Sequence, residues 1–299
     1  MKILISGAHG LIGSRLAKSL DREGVEVWRL VRGSPSTKTD IEWQPTKGIL
    51  DKEQLAEFDV VVHLAGESIA SGRWTADKKK GIRESRVVAT GILSTALSEL
   101  PSPPRTFVCA SAIGIYGDRD DEVLTEDSKP GSDFLASVCV EWENACRPAI
   151  EKGIRTVNAR FGIVLDTGGG ALAKMLPPFR MGIGGRVGSG KQWMSWIVLD
   201  DVIAGLKLVL RHDEIAGPVN FVAPNPVTNQ EFTKALGTAV SRPTLVPIPE
   251  FGVRLAFGEM GDALLLSSQR VEPKRLKEVG YEFKYAELRA ALSHVLKVG

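Results

Sequence analysis

With 299 residues, 43% hydrophobic and 25% charged, the chain can bury a large core of one or two domains and has an ordinary globular composition. A formal net charge of +2, with no basic block beyond Lys78-Lys79-Lys80, argues against nucleic acid as a partner. No apolar run is long enough to span a bilayer, and the three cysteines lack paired spacing, so the expectation is a cytoplasmic protein with no membrane partner, disulfide framework or metal site.

Residues 3–5 form a short apolar run that predicts a buried strand. Gly7, Gly10 and Gly13 follow, and Ile12, Leu16 and Leu20 then recur every four residues along one helix face. Taken alone, the glycines describe an ordinary turn. Placed between a strand and a helix, they predict a dinucleotide site. Glycine lets the backbone turn tightly and approach a pyrophosphate, while the helix N–H groups and dipole hold the anion.

Val25 to Val31 reads as a second strand ending at Arg32-Gly33. About 20 residues past the glycines, an NAD site places Asp or Glu against the ribose hydroxyls. Here Arg32 stands instead, flanked by Gly33 and Ser34. A guanidinium can pair bidentately with a 2′-phosphate and stack on adenine, so the cofactor favoured is NADP.

Residues 35–57 read as a polar loop with a short irregular strand or helix. Asp59 to His63 is a buried strand entering the turn Leu64-Ala65-Gly66, whose small residues let backbone approach the cofactor. His63 falls within the strand and reads as a core residue. A helix is predicted over 79–100, with Ile82, Leu93, Leu97 and Leu100 inward. Either Arg83 or Arg86 near its start could reach a cofactor phosphate, or both could be solvated helix charges.

The next strand starts at Thr106 and exits through Ser111 and Tyr116-Gly117. A helix follows from Ser132 or Asp133 to Gly153, with Leu135, Val138, Cys139, Trp142, Cys146 and Ile150 on one side. Arg155 to Leu165 is one more strand, and 167–195 is rich in glycine. Ile197 to Val202 opens a helix, Val219–Val222 is a strand, and Thr228 with Glu231 predicts a capping box.

Several of these features together resemble the extended short-chain dehydrogenase/reductases, the nucleotide-sugar epimerases and their relatives. They are Gly7-x-x-Gly10-x-x-Gly13, Leu64-Ala65-Gly66, Ser111 with Tyr116-Gly117, and Trp196-Ile197 with Asp200-Asp201. More narrowly, Glu67, Trp142-Glu143, Gly168-Gly169-Gly170-Ala171, Gly188-Ser189-Gly190, Gln269-Arg270-Val271 and Gly280-Tyr281 resemble the epimerase-like subgroup described as sugar-nucleotide epimerase-like or cell-division-inhibitor-like. The resemblance covers essentially the whole chain. It implies an α/β fold, a Rossmann-type doubly wound parallel sheet with a smaller C-terminal substrate-side region. The expected division is 1–166 continued by 196–224 for the cofactor domain, and 167–195 with 225–299 for the smaller region.

The resemblance also implies a Tyr-x-x-x-Lys pair, in which the lysine cation lowers the tyrosine pKa and holds the nicotinamide ribose. Tyr116, Tyr281 and Tyr285 are followed four residues on by Asp120, Tyr285 and Arg289, so no such pair exists. Aligning Glu143 puts Leu135 and Cys139 at the two positions, and Ala112 at the usual serine beside Ser111. Candidate replacements are Ser111 and Tyr116, at the end of a central strand, each able to donate to a substrate carbonyl or simply to satisfy local backbone, and Cys139, whose burial would make the thiol inert. Glu67 is the carboxylate just behind the cofactor turn. The candidate cofactor contacts are Gly7, His9, Gly10, Leu11, Ile12, Gly13, Arg32, Leu64, Ala65, Gly66, Arg86, Ser111 and Ile163. The expected function is that of an NADP(H)-binding, epimerase-like oxidoreductase acting on a small molecule, with a homodimer left open. The alternative is a non-catalytic NADP(H)-sensing regulatory protein.

Overall fold

Seven strands rich in branched aliphatic residues pair in parallel into one sheet: β1 (Lys2–Ser6), β2 (Glu26–Val31), β3 (Asp40–Gln44), β4 (Val60–His63), β5 (Thr106–Ala112), β6 (Arg155–Phe161) and β7 (Gly217–Phe221). This is a computed structural model, and it describes residues 1–298. Their order across the sheet is β7-β6-β5-β4-β1-β2-β3, with a two-residue antiparallel strand, Ile49–Leu50, beside β3. The order reverses between β1 and β4. In an open α/β sheet, that switch point is where ligands bind, outside the carboxyl ends of the strands.

The principal helices are α1 (Leu11–Arg22), α2 (Ala76–Arg83), α3 (Ala89–Ser98), α4 (Phe134–Asn144), α5 (Gly170–Arg180), α6 (Leu199–Arg211), α7 (Asn229–Ala239), α8 (Glu250–Phe257) and α9 (Leu288–Val298). Strand alternation divides the core between them. Ile3, Ile5, Val60 and Val62 face α1 and α6, while Leu4, Val61 and Phe107 face α3 and the Trp142 side of α4. Both faces are covered, so the strands read as continuous apolar runs. A third core gathers Leu172, Phe179, Trp196, Phe232, Leu236 and Leu292 from α5, α7, α9 and the short strand Trp196–Val198. Among the described residues, no helix is long and apolar enough to cross a membrane.

The structure departs from the sequence reading, or makes it specific, in five places, of which one is Ile197-Val198, lying on a short strand so that the helix opens at Leu199. Within 35–57, Asp40–Gln44 joins the main sheet as β3, because Ile41 and Trp43 are both buried in the core beside β2. The helix predicted over 79–100 starts earlier, where the Thr75 hydroxyl caps the Lys78 N–H at 3.2 Å, and is divided by a π-helical turn at Glu84–Val88. The predicted strand 155–165 breaks at Gly162, where a Cβ would stand 2.6 Å from the Ser195 carbonyl oxygen, and Ile163–Leu165 pairs with Trp196–Val198 instead. The helix predicted to run to Gly153 ends at Asn144, and Ile150 on the short helix after it is exposed.

Asp201, at the start of α6, fastens the C-terminal segment to the sheet. Its buried carboxylate accepts the N–H groups of Lys284 and Tyr285 at 2.9 and 3.0 Å and the Tyr281 hydroxyl at 3.1 Å. Its neighbour Asp200 pairs with Arg15 and His294 nearer the surface, each at 2.9 Å. Removing the buried acceptor strands two N–H donors, while the Tyr281 hydroxyl keeps the Asp201 carbonyl at 2.9 Å; the surface pairs are worth little. Asp201→Ala is therefore expected to cost about 3 kcal/mol or more, and Asp200→Ala about 1 kcal/mol at most. Urea unfolding of the two variants checks the contrast.

A candidate cofactor and active site at the switch point

Two of the three N-terminal glycines are consumed by packing. Gly7 has φ +70°, and a Cβ there would lie 2.7 Å from the Leu64 carbonyl carbon and 2.8 Å from the Ala65 nitrogen. A Cβ at Gly13 would lie 2.3 Å from the Gly7 oxygen. The turns after β1 and β4 and the first turn of α1 are thus packed backbone to backbone. Gly10 differs: it is exposed, and its nearest neighbour would be the Gly7 oxygen at 3.2 Å. It caps α1 without any side-chain bond and with no acid in the first turn. Ser14 makes the first internal bond, at 2.9 Å, and among the described residues the N–H groups of Leu11, Ile12 and Gly13 have no acceptor. Orphan donors at the positive end of a helix dipole suit an anion. His9 is exposed beside them, and Leu11 turns aside to touch the Gly169-Gly170 backbone.

Below the turn, the Ser6 hydroxyl and His63 Nδ1 lie 2.5 Å apart, both fully buried. Burial pushes the imidazole pKa down to about 4, so the ring is neutral and structural.

Arg32 stands exposed just past the end of β2 and among the described residues makes no hydrogen bond or ion pair. On the neighbouring strand, Asp40 stands opposite Arg29 and Glu42 opposite Val31, and neither is bonded to Arg32. Asp40 Oδ2 accepts the Ser36 N–H and hydroxyl and the Thr37 N–H, at 3.1, 2.8 and 3.0 Å. Burial opposes its charge, yet those bonds bring its pKa below the ordinary value. The end of β2 itself therefore offers a cation, Arg32, and no carboxylate, while Glu42 on β3 accepts from the Gln44 amide.

Across the switch point, the two arginines of the next helix separate. Arg83 pairs with Glu141 on the exposed surface at 2.6 Å. Arg86 turns inward to the Leu64-Ala65-Gly66 turn and donates to the carbonyls of Glu67 and Ile82 at 3.0 and 3.1 Å. The Glu67 carboxylate is tied to Lys78, and its N–H donates to the Ser85 hydroxyl at 3.1 Å.

At the ends of β5, β6 and β7, register aligns Ser111 with Arg160 and Arg160 with Asn220. All three enter one buried network. Arg160 Nε and Nη2 each meet a Glu143 carboxylate oxygen at 2.8 Å, and the Ser111 hydroxyl donates to the same carboxylate at 2.7 Å. Arg160 Nη1 donates to the Tyr116 hydroxyl at 2.9 Å, which donates to Asn220 Oδ1 at 2.8 Å. Tyr116 is completely buried, and burial pushes its phenol pKa up. It does not reach the cleft. Of the two roles open to Tyr116 and Ser111, a bond to a substrate or a bond to local groups, both hydroxyls here make the second, the proton of Ser111 being directed to Glu143. Cys139 is also buried, its thiol pushed up to about 12 by desolvation and by Glu143. It sits in an apolar cluster with Ile113, Ile115 and Ala112, while Leu135 leans on Gly114. The positions aligned with Ser, Tyr and Lys are an alanine, a leucine and an un-ionised thiol.

Glu143 and Arg160 were missed as a unit. A lone arginine in an apolar strand was the available signal, since a buried cation requires an acceptor. The far wall is built from the segments around Ile163 and 183–195. Ile163 N–H donates to the Ser195 carbonyl at 2.9 Å, and the Ser195 hydroxyl donates to that of Gln269 at 2.7 Å. The loop after Gly66 is fastened to this side by Arg73 on the Leu255 and Ala256 carbonyls, and α2 by a Lys79–Glu259 pair at 2.5 Å.

The buried His63 makes stability depend on pH. Its folded pKa is depressed from 6.5, so its contribution is full above pH 6.5 and is lost as pH falls to about 4. The loss amounts to about 3 kcal/mol. Urea unfolding from pH 7 to pH 4.5 is expected to show a steeper fall for the unaltered protein than for His63→Gln. Equal slopes would reject this account.

The comparisons agree with this geometry. Residues 3–222 match the family model described as NAD dependent epimerase/dehydratase family, and residues 248–295 match a domain of unknown function, DUF1731. The epimerase family protein MT2273 of Mycobacterium tuberculosis is 42% identical over 292 residues, covering 98% of this chain and 96% of its own. The epimerase family protein YfhF of Bacillus subtilis is 36% identical over 301 residues, covering 99% and 98%. The crystal structure of human epimerase family protein SDR39U1 (isoform2) with NADPH superposes with a TM-score of 0.89 at 33% identity, covering 99% of each chain. On sequence and architecture alike, the chain belongs to the NAD dependent epimerase/dehydratase family.

Proposed function

We propose that this chain is an NADP(H)-dependent, epimerase-like oxidoreductase acting on a small molecule in the cytoplasm. The observation that carries this reading is the uncapped start of α1 together with an unpaired Arg32, in place of an acid, just past the end of β2. The human relative that superposes on it was solved with NADPH. Three buried, unpaired cysteines suit a reducing compartment.

The N–H groups of Leu11, Ile12 and Gly13 would hold the pyrophosphate and Arg32 the 2′-phosphate, with Gly10 leaving room for the approach. The bound group supplies a hydride. The chain's own residues position it, since Ala112, Leu135 and Cys139 offer no acid–base pair working near pH 7. General acid–base help is typically worth about 10²–10⁴-fold, so turnover at the usual rate of the family is not expected. That same apolar trio favours a second reading, a non-catalytic NADP(H) sensor.

In calorimetric titration, NADPH should bind about tenfold or more tightly than NADH, with Arg32→Ala removing most of the difference. Equal affinities in the unaltered protein would refute the cofactor choice. NADPH oxidation against a panel of small carbonyl compounds then separates the two readings. Slow turnover that survives Cys139→Ala supports the enzyme. Tight NADPH binding with no turnover, and a partner retained only in its presence, supports the sensor.

A further inference from the structure

On the reading of the chain as an NADP(H)-binding protein, we infer that Arg86 grips the nicotinamide-ribose half of the dinucleotide. It would deliver, from the helix beside β4, a cation to a place where α4 supplies none.

The backbone is arranged to bring Arg86 inward. Arg83 and Arg86 are three residues apart and in a regular helix would share a face. The π-helical turn Glu84–Val88 separates them, leaving Arg83 on the surface with Glu141 and Arg86 half-buried against Gly66. No proline or glycine lies inside that turn to explain it, and such turns recur at functional sites.

The guanidinium is then held firmly but not neutralised. A Cβ at Gly66 would stand 3.5 Å from Cζ, so the cation lies directly on the cofactor turn. Its other face lies over the Trp142 ring of α4, 5.2 Å from the centroid. Its nearest acceptors are the carbonyls of Ile82 and Glu67, with the Ser85 hydroxyl at 3.4 Å. Among the described residues it forms no ion pair, and Nε donates to nothing. A half-buried charge with spare donors and no counter-ion is costly unless a polar group completes it. Burial accordingly lowers its pKa, with Cys139 and the Glu67 carboxylate opposing.

Position identifies that group. A dinucleotide lies across the switch point, with its adenosine half toward β2 and the other half toward β4 and β5. Arg32 stands at the first end. Arg86 stands at the other, between the turn after β4 and the α4 helix that packs beside β5. The two cations lie on opposite sides of the glycine turn, so they read opposite ends of one ligand.

The test compares NADPH with adenosine 2′-phosphate 5′-diphosphate, which keeps the 2′-phosphate and two linked phosphates but lacks the second ribose and nicotinamide. Arg86→Gln is expected to weaken NADPH about tenfold and leave the fragment unchanged. The rise in NADPH fluorescence on binding should also shrink, because the ring is held less rigidly. Arg86→Lys, which keeps the charge but not the fork, should fall between the two and serves where the glutamine variant does not fold. Unchanged NADPH affinity and fluorescence would make Arg86 a purely structural bolt between two carbonyls and overturn the inference. Equal weakening of both ligands would place it on the phosphates and overturn it too. If the unaltered protein binds the fragment and NADPH equally, the nicotinamide half is not gripped. If it binds neither, the NADP(H) reading itself falls.

Discussion

The paired N–H···O bonds from Arg160 to Glu143 set the floor of this site. Both side chains are nearly buried, with 8% and 13% of their surface exposed. Burial alone would disfavour the Arg160 charge, yet the Glu143 carboxylate more than compensates, and the pKa of Arg160 is raised. Such a pair is weak evidence for stability, but losing one partner typically costs about 3–5 kcal/mol. What it contributes here is geometry. Ser111 and Tyr116 hang on it directly, and Asn220 through Tyr116, so the ends of three adjacent strands and the face of α4 are fixed together. The buried Glu126 extends the same network, accepting the Asn220 N–H at 2.9 Å and that of Arg275 at 3.3 Å. The floor and the C-terminal segment therefore cannot shift independently.

The same pair explains why a serine at the right strand end is a poor proton donor. The register that lines Ser111 up with Arg160 also directs its hydroxyl to Glu143, on the sheet face covered by α4. One residue later the chain would present a side chain to the opposite side, and there it has Ala112. A one-residue shift in where the serine stands thus changes a hydroxyl from a substrate contact into a structural bond.

How much could be read from the sequence depended on whether the deciding interaction was local. Strand, glycine turn and helix lie within one short stretch, so that turn was legible, as were the place of Arg32 just past the end of β2 and the buried His63. The capping box at Thr228 was legible for the same reason, and both of its bonds form. By contrast, β3 was foreseen only as a short irregular strand or helix, because its five residues carry just two buried apolar side chains, Ile41 and Trp43, and give almost no period. The π-helical turn left no signal at all, since Glu84 to Val88 contains no helix breaker. Tyr116 looked accessible because it follows a strand end. Only Arg160 and Asn220, 44 and 104 residues further on, make it a core residue. The expected helix face holding Ile150 failed where Pro148 begins a new, differently oriented turn.

Cofactor grip and proton delivery are separable tasks. The orphan N–H groups of α1 and the exposed Arg32 belong to turns and strand ends on the β1–β2 side of the sheet, and Arg86 reaches the turn after β4 from a helix, over Trp142. The positions that would move a proton belong to β5 and α4, where the lining is Ala112, Leu135 and Cys139. Binding that is equally strong in ground and transition states lowers KM without raising kcat. A chain can therefore lose the second set while retaining the first. The glycine turn gives a reason for such retention that is independent of catalysis. Gly7 and Gly13 are required for β1, β4 and α1 to meet, so most of the cofactor turn is also part of the core. Leu135 and Cys139 carry the opposite constraint. Each already fills apolar space against Gly114 or Ile113, and a tyrosine or lysine there would have to displace it. Close packing favours the dinucleotide half of the site and resists a return of the dyad.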